Sequence, residues 1–179
     1  TIAGGKLTTW RSMAEEMVGE LARYLGREHG LSPAPPSHTM DRILPGGDIP
    51  DWYPYLADRV AELGDRLSPE TVSHLISTYG TTYSQVLAPA EDDAHLAEPL
   101  VPGLPNLKAE IIHAVRHEMA LTLEDVIYRR TGMGTIGYPG RECVERCAEI
   151  MMQLRGWDEA RKAREMESLN RYRWRGGEE

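Results

Sequence analysis

Phenylalanine is absent from this 179-residue chain, so any core must be packed from leucine, methionine, tyrosine and tryptophan. Cysteine occurs only twice, which excludes a disulfide-rich secreted scaffold. No apolar run approaches the roughly 20 residues that cross a bilayer, and no signal peptide is visible at the N-terminus. The formal net charge of −8 argues against a broad nucleic-acid surface. What remains is a chain long enough for one globular domain with a real core.

The two cysteines, Cys143 and Cys147, stand four residues apart on a predicted helix. A disulfide across one helical turn would constrain almost no chain, so it would be a poor structural staple. A redox or metal pair is the alternative, but no further ligands accompany the two thiols. We therefore favour two reduced helix cysteines in a cytosolic protein.

The most informative stretch runs from Leu107 to Gly132 and predicts two helices in series. Apolar residues recur at helical spacing in both halves. Thr122 is in position to be an N-cap, and Asp125 stands three residues later, where a capping box places its acid. Acidic residues occupy the first turn of the second helix, arginines occupy its last turn and Gly132 follows as a stop, an order that complements the helix dipole.

Four charged residues lie close to the apolar stripes of these helices, and we expect at least one carboxylate–guanidinium pair to be partly buried. A structural ion-pair network is the favoured interpretation, since such networks perturb charges without chemistry. We therefore expect no catalytic residue in this chain. The four residues are Glu118, Asp125, Arg129 and Arg130.

A metal site would need more than the sequence offers. His113 and His117 are spaced i,i+4, but the adjacent Glu118 lies outside the pair, unlike the H-E-x-x-H pattern. Without a third ligand we expect no metal.

The remaining segments predict more helices and no strand pairs. Ser68 and Pro69 form a strong helix start, and Gly156 separates two C-terminal helices. The last of these, which opens at Trp157 and Asp158, has alternating charges that predict a solvated surface helix. The expected fold class is mainly α: a compact helical domain of six to eight helices with irregular Pro/Gly-rich connectors.

The opening residues predict a strand end, a glycine turn and a helix that Thr8 or Thr9 caps. Gly4 and Gly5 allow close approach of the backbone to a ligand, and Lys6 adds positive charge ahead of a helix N-terminus. This arrangement suits an anionic group. Because the chain begins in mid-strand, we expect it to be part of a longer protein.

Two segments carry a family resemblance. AVRHEMALTLEDVIYRRTG, residues 114–132, resembles the C-terminal helical domain of FAD-dependent glycerol-3-phosphate dehydrogenases and the related glycerophosphate oxidases. The opening GGK-x-TT motif is similar to the GGK-x-TTYR motif of the same family, with Trp10 in place of the usual tyrosine. The resemblance implies that Lys6 faces the substrate or flavin. It also implies that the backbone of Gly5, Leu7 and Thr8 lies against the flavin C2 carbonyl.

The resemblance further implies a domain organisation and an activity. Residues 1–29 would be the tail of an FAD-binding domain, 30–50 a connector and 51–179 a C-terminal helical cap. The complete enzyme would oxidise glycerol-3-phosphate to dihydroxyacetone phosphate with FAD as cofactor and pass electrons to quinone or oxygen. The expected location is cytoplasmic, with peripheral attachment to the inner membrane face and homo-oligomerisation left open.

This chain lacks the G-x-G-x-x-G fingerprint, so we expect the fragment alone to bind little FAD and to be inactive. Two alternatives stay open. One is a non-enzymatic helical interaction module for subunit or electron-acceptor contacts. The other is a stand-alone metal protein that uses His113 and His117.

Overall fold

The computed structural model describes residues 3–4, 6–32 and 35–169, which form two compact units. The first unit ends at Leu44 and the second begins at Pro45. The described residues contain eight α-helices and no strand, with one isolated antiparallel bridge between Pro99 and Leu107. The mainly α fold class and the helix count predicted from the sequence are confirmed.

The first unit is built on one long helix, α1, Trp10–His29, which follows a 3₁₀ turn at Leu7–Thr9. The prediction that the hydroxyl of Thr8 or Thr9 caps this helix is wrong. Neither the 3₁₀ turn nor α1 has a side-chain hydrogen bond at its N-cap. The Thr9 hydroxyl instead donates to the Lys6 carbonyl oxygen at 2.9 Å. Gly30, with a φ of 64°, ends the helix in the left-handed conformation. None of the α1 side chains is buried.

The second unit begins with two longer helices and two short ones. The Ser68 hydroxyl accepts a hydrogen bond from the Thr71 amide at 3.2 Å, and Pro69 occupies the first helical position, as predicted. The following segment divides into a short helix and a 3₁₀ turn at Ala94–Ala97. The four helices are α2, Trp52–Leu63; α3, Pro69–Tyr79; α4, Tyr83–Leu87; and α5, Pro89–Asp92.

The chain then forms the elements around which the second unit is packed. Gly132 and Gly156 both have positive φ where helices end, so the predicted glycine stops are confirmed. The segment after Thr122 was expected to be α-helical, but it winds as a π-helix over Asp125–Arg130. The three α-helices are α6, Lys108–His117; α7, Arg141–Arg155; and α8, Glu159–Ser168.

Helix α6 lies between two hydrophobic clusters and contributes to both. Its first turn supplies Ala109 to a cluster formed with α2, α3 and α4. Its other face supplies Ile111 and Ala114 to a cluster formed with the π-helix, α7 and the end of α8. Helix α6 therefore packs against both hydrophobic clusters, which agrees with the density of apolar residues predicted for the 107–132 stretch.

Two glycines hold the start of the second unit against the end of α3. Gly46 and Gly80 have φ angles of 84° and 56°, and the Thr81 amide donates to the Gly46 carbonyl oxygen at 3.0 Å. A β-carbon on Gly80 would overlap the Gly46 carbonyl, and one on Gly46 would overlap the Tyr79 carbonyl. The backbone contact is possible because both residues are glycine.

Helix α8 departs from the prediction of a solvated surface helix. Glu165 on this helix and Leu169 just after it are buried, and Met166 packs against the same core. The alternating charges of α8 did not indicate that one of its faces is buried, because only the other face is polar. The predicted fraying from Gly176 onward lies outside the described residues. Among the residues described, no helix is long and apolar enough to cross a membrane.

Candidate functional site

The Lys6 turn stands at the start of α1 with its side chain exposed. Lys6 has extended backbone angles, and no side chain caps the turn that follows. The amides of Leu7 and Thr8 therefore lie at a positively polarised helix end that no side chain of the described residues caps. Gly5, the fourth predicted site residue here, lies outside the described residues. The geometry of Lys6, Leu7 and Thr8 suits an anion or a carbonyl oxygen.

The other predicted residues lie in the second unit, and Asp125 is the centre of their network. One oxygen, Oδ2, accepts hydrogen bonds from the Thr122 amide at 2.9 Å and from the Leu121 amide at 3.0 Å. The Asp125 amide donates in return to the Thr122 hydroxyl at 3.2 Å, which confirms the capping box. Burial alone would raise the pKa of Asp125, but the hydrogen bonds that its carboxylate accepts from the Thr122 hydroxyl and from the Leu121 and Thr122 amides outweigh burial and lower that pKa.

Arg129 joins this network, whereas Arg130 and Glu118 do not. Arg129 donates to Asp125 Oδ1 at 2.8 Å and also pairs with the largely buried Glu124. Arg130 is exposed, and within the described chain it forms no ion pair with a carboxylate. Glu118 is the C-cap of α6, and the ionisable side chain beside it is that of His113 rather than an arginine of the π-helix. Of the four charged residues that the sequence predicted to form ion pairs, Asp125 and Arg129 are the two that pair with each other.

The most buried carboxylate of the described residues is that of Glu110 on α6, whose side chain is 0% exposed and which was not among the predicted site residues. Glu110 Oε2 lies 2.9 Å from His74 Nε2 and accepts a hydrogen bond from the Tyr79 hydroxyl at 3.0 Å. Its other oxygen, Oε1, accepts from the Leu107 amide at 2.7 Å. Asn106 Nδ2 adds contacts of 3.0 Å to His74 and 3.4 Å to Glu110.

This cluster ties α3 to α6 through polar contacts inside an otherwise apolar interface. Burial, followed by the charge and hydrogen bond of Glu110, raises the pKa of Tyr79 far above its ordinary value. The phenol therefore stays protonated and serves as a donor. One signal was visible in the sequence: Glu110 is three residues after the N-cap Leu107, where a carboxylate turns back toward the N-cap amide.

A second buried acid, Glu165, fixes α8 to the start of the π-helical segment. One of its carboxylate oxygens accepts a hydrogen bond from the Leu123 amide at 2.9 Å. The other pairs with Arg161 at 2.6 Å. Glu165 therefore satisfies a helix-start amide from 42 residues away in sequence. No spacing rule within one helix would have predicted this contact.

The two cysteines are free and buried, and they face one another within α7. A hydrogen bond between them lowers the pKa of Cys143, and the same bond together with burial raises the pKa of Cys147. Cys143 also lies 3.6 Å from the Met133 sulfur. No group of three or more histidine, cysteine or acidic residues in the described part of the chain is arranged to hold a metal ion.

The helical fold and the 107–132 stretch define a known class of domain. Residues 37–162 match the family of the C-terminal domain of alpha-glycerophosphate oxidase. The chain belongs to this family.

Curated relatives extend the similarity across most of the chain. The glycerol-3-phosphate dehydrogenase of Synechocystis is 30% identical over 174 residues, which are 96% of this chain and 30% of the relative. The mitochondrial glycerol-3-phosphate dehydrogenase of mouse is 35% identical over 178 residues, 96% of this chain and 23% of the relative. Glycerol-3-phosphate dehydrogenase 2 of Mycobacterium tuberculosis is 34% identical over 169 residues, 92% of this chain and 27% of the relative. The chain therefore spans less than a third of the length of these relatives.

Proposed function

We propose that this chain is the C-terminal part of an FAD-dependent glycerol-3-phosphate dehydrogenase. The complete protein would oxidise the secondary alcohol of glycerol-3-phosphate to the ketone of dihydroxyacetone phosphate. The observation that carries the proposal is the match of 92–96% of this chain to proteins named for that activity. The match of residues 37–162 to the family of the C-terminal domain of alpha-glycerophosphate oxidase supports the same conclusion.

The Lys6 turn is the part of this chain that we propose to contact cofactor and substrate. FAD, when bound, supplies the hydride acceptor of the oxidation. The uncapped amides of Leu7 and Thr8 fit a hydrogen-bond acceptor such as the flavin C2 carbonyl. The exposed Lys6 ammonium fits an anion, which in this reaction is the substrate phosphate.

The proposed domain organisation is a tail of the FAD-binding domain over 1–29, a connector over 30–50 and a helical cap over 51–179. Two observations support it: the described residues divide into compact units between Leu44 and Pro45, and α1 has no buried side chain. A 20-residue helix with an exposed apolar stripe needs a partner surface, which we assign to the FAD-binding domain. The exposed stripe comprises Trp10, Met17, Leu21 and Tyr24.

The remaining elements of the proposal concern acceptor and location. We propose quinone as the electron acceptor, with oxygen as the alternative, and a cytoplasmic location. Two free, buried cysteines are in keeping with a reducing compartment. Peripheral attachment to the inner membrane face and homo-oligomerisation remain open within this proposal. The isolated chain, without a dinucleotide fingerprint, should bind little FAD and should not turn over.

The test is steady-state kinetics on the full-length enzyme, with FAD content held equal between variants. Lys6→Ala should raise the KM for glycerol-3-phosphate and lower kcat/KM by roughly one to two decades, since a charge-assisted hydrogen bond is worth about 1.5–3 kcal/mol. Arg23→Ala is the matched control, because Arg23 is an exposed cation further along α1 that pairs with Glu20 at 2.7 Å. If Lys6→Ala leaves kcat/KM unchanged, the glycine–lysine motif is only a structural turn.

A further inference from the structure

The C-terminal end of α6 brings an imidazole, that of His113, and a carboxylate, that of Glu118, close together without a hydrogen bond between them. His113 is 7% exposed, and its Nδ1 is buried without a hydrogen-bond partner among the described residues. Glu118 Oε2 is buried and unsatisfied in the same way. The nearest approach between the two side chains, His113 Nε2 to Glu118 Oε1, is 4.0 Å, too long for a hydrogen bond. Buried polar atoms nearly always have partners, so two unsatisfied atoms on neighbouring side chains are unusual.

The surroundings of His113 favour its neutral form at neutral pH. Burial lowers the pKa of His113 below its ordinary 6.5, and Glu118, His117 and Glu110 act on it in addition, the two carboxylates opposing that decrease. The edge of the Tyr79 ring of α3 packs against the imidazole, with 5.7 Å between ring centroids.

The charged groups that act on the imidazole are Glu118, His117 and Glu110. Two other elements packed on α6 carry charged residues that are paired elsewhere: His95 in the 3₁₀ turn Ala94–Ala97 with Glu98, and Asp125 in the π-helix with Arg129. Helix α4 carries no charged residue. On helix α7, the hydrogen bond with Cys143 and burial raise the pKa of Cys147, so this thiol stays uncharged. The acids of α5, Glu91 and Asp92, are exposed. Glu118 is therefore the acceptor to which a protonated His113 would turn.

Glu118 lies at the junction between α6 and the following loop, where a movement of its side chain would displace the loop backbone. It is the C-cap of α6, and Met119 follows with a φ of 60°, in the left-handed region that non-glycine residues avoid. The amides of Glu118 and Ala120 both donate to the Ala114 carbonyl oxygen, at 3.2 and 2.9 Å. The loop then leads within two residues into the Thr122 capping box.

We propose that His113 and Glu118 form an acid-operated latch at the end of α6. A proton taken from solvent by His113 creates an imidazolium whose Nε2–H donates to the Glu118 carboxylate. Closing the 4.0 Å gap draws in Glu118 and shifts the strained Met119–Leu121 loop that follows it. No bond other than the N–H forms, and the latch reopens when the proton leaves. Acidification is thereby converted into a movement of an exposed apolar loop.

The test is an NMR titration of the ¹⁵N-labelled 179-residue protein from pH 8 to 4.5, recording the imidazole nitrogens and the backbone amides. The Met119 and Leu121 amides should shift with the same midpoint as His113. In Glu118→Gln, the His113 midpoint should fall by at least about half a pH unit, because a neutral amide stabilises the imidazolium less. The amides of the loop should then no longer follow the titration. His117→Asn is the matched control, and it should keep the coupling between His113 and the loop.

Several results would overturn the latch. If His113 titrates while the loop amides stay still, it is a buried histidine without a conformational role. If the loop follows His117 instead, the assignment is wrong. The latch also fails if the protein unfolds before His113 takes up a proton, or if Glu118→Gln leaves the midpoint and the loop response unchanged.

Discussion

Met119 is the one non-glycine residue with a positive φ, 60°, among the described residues, and its side chain is 78% exposed. A left-handed conformation costs a residue with a β-carbon about 1–2 kcal/mol, whereas glycine adopts it freely. Part of that gain is lost because glycine orders at a greater entropic cost. We expect Met119→Gly to raise the free energy of unfolding by about 0.5–1 kcal/mol, measured by urea denaturation at pH 8. Met119→Ala, which keeps the β-carbon, should give no such gain.

Glu110 is the residue on which we expect stability to depend most strongly. Its removal would leave the Leu107 amide and the Tyr79 hydroxyl without their acceptor in the interior, and would remove the carboxylate that His74 contacts. Removing one partner of a buried polar or ionic pair typically costs about 3–5 kcal/mol. Glu110→Ala should lower the free energy of unfolding by that amount in denaturant titrations.

An exposed acid provides the comparison for Glu110. Glu62 pairs with Arg59 at 3.1 Å, and its side chain is 54% exposed. An exposed ion pair contributes under about 1 kcal/mol, so Glu62→Ala should change stability by less than that. Equal effects of Glu110→Ala and Glu62→Ala would show that the buried cluster is not the stabilising contact that its geometry indicates.

At the scale of single elements, the sequence predicts features that depend on neighbouring residues, but not contacts between residues far apart in the chain. The start of α3 at Ser68 and the capping box of Thr122 and Asp125 depend on residues at most three apart, so the sequence specifies them directly. The π-helix was not predicted, because its extra residue per turn arises where the Thr131 hydroxyl and amide both donate to the Val126 carbonyl. Glu165 was missed because its acceptor role depends on packing between two elements.

The contact between α8 and the π-helical segment leads to a prediction about these two elements. Glu165→Ala would leave the Leu123 amide without its acceptor and Arg161 without its carboxylate. A lost buried hydrogen bond of this kind costs about 1–3 kcal/mol. We expect a stability loss of that size, together with faster hydrogen exchange at the Leu123 amide, measured by NMR. The exposed Glu167 on the same helix is the control, and Glu167→Ala should affect neither quantity.

At the scale of the whole molecule, the fold class followed from helical periodicity and the lack of alternating strands. The candidate site was less accessible. The sequence placed Lys6 just ahead of a helix start and included Asp125 and Arg129 among its candidate ion-pair residues, because both features are local. It could not identify Glu110 as buried, because that depends on His74, Tyr79 and Asn106 being brought together from distant parts of the chain.

The second unit should fold without the first. Both hydrophobic clusters consist of residues from Ile49 onward, so a chain that begins at Pro45 keeps every buried apolar residue of the described core. We expect its melting temperature to stay within about 4 °C of that of the 179-residue chain, in calorimetry or circular dichroism. A chain that begins at Ser68 lacks α2, which packs on α3, and should melt far lower. A collapse of the Pro45 variant would refute the independence of this unit.

The contact between Gly46 and Gly80 has a consequence for how relatives of this protein can vary. Each residue is held to glycine by the backbone of the other segment, so no side chain at one position can compensate for a change at the other. A substitution at either position therefore cannot be rescued by a second substitution at the other. The two positions should therefore be fixed together in any lineage that keeps the contact. A method that finds contacts from correlated substitutions would not detect this one, although the two backbones touch.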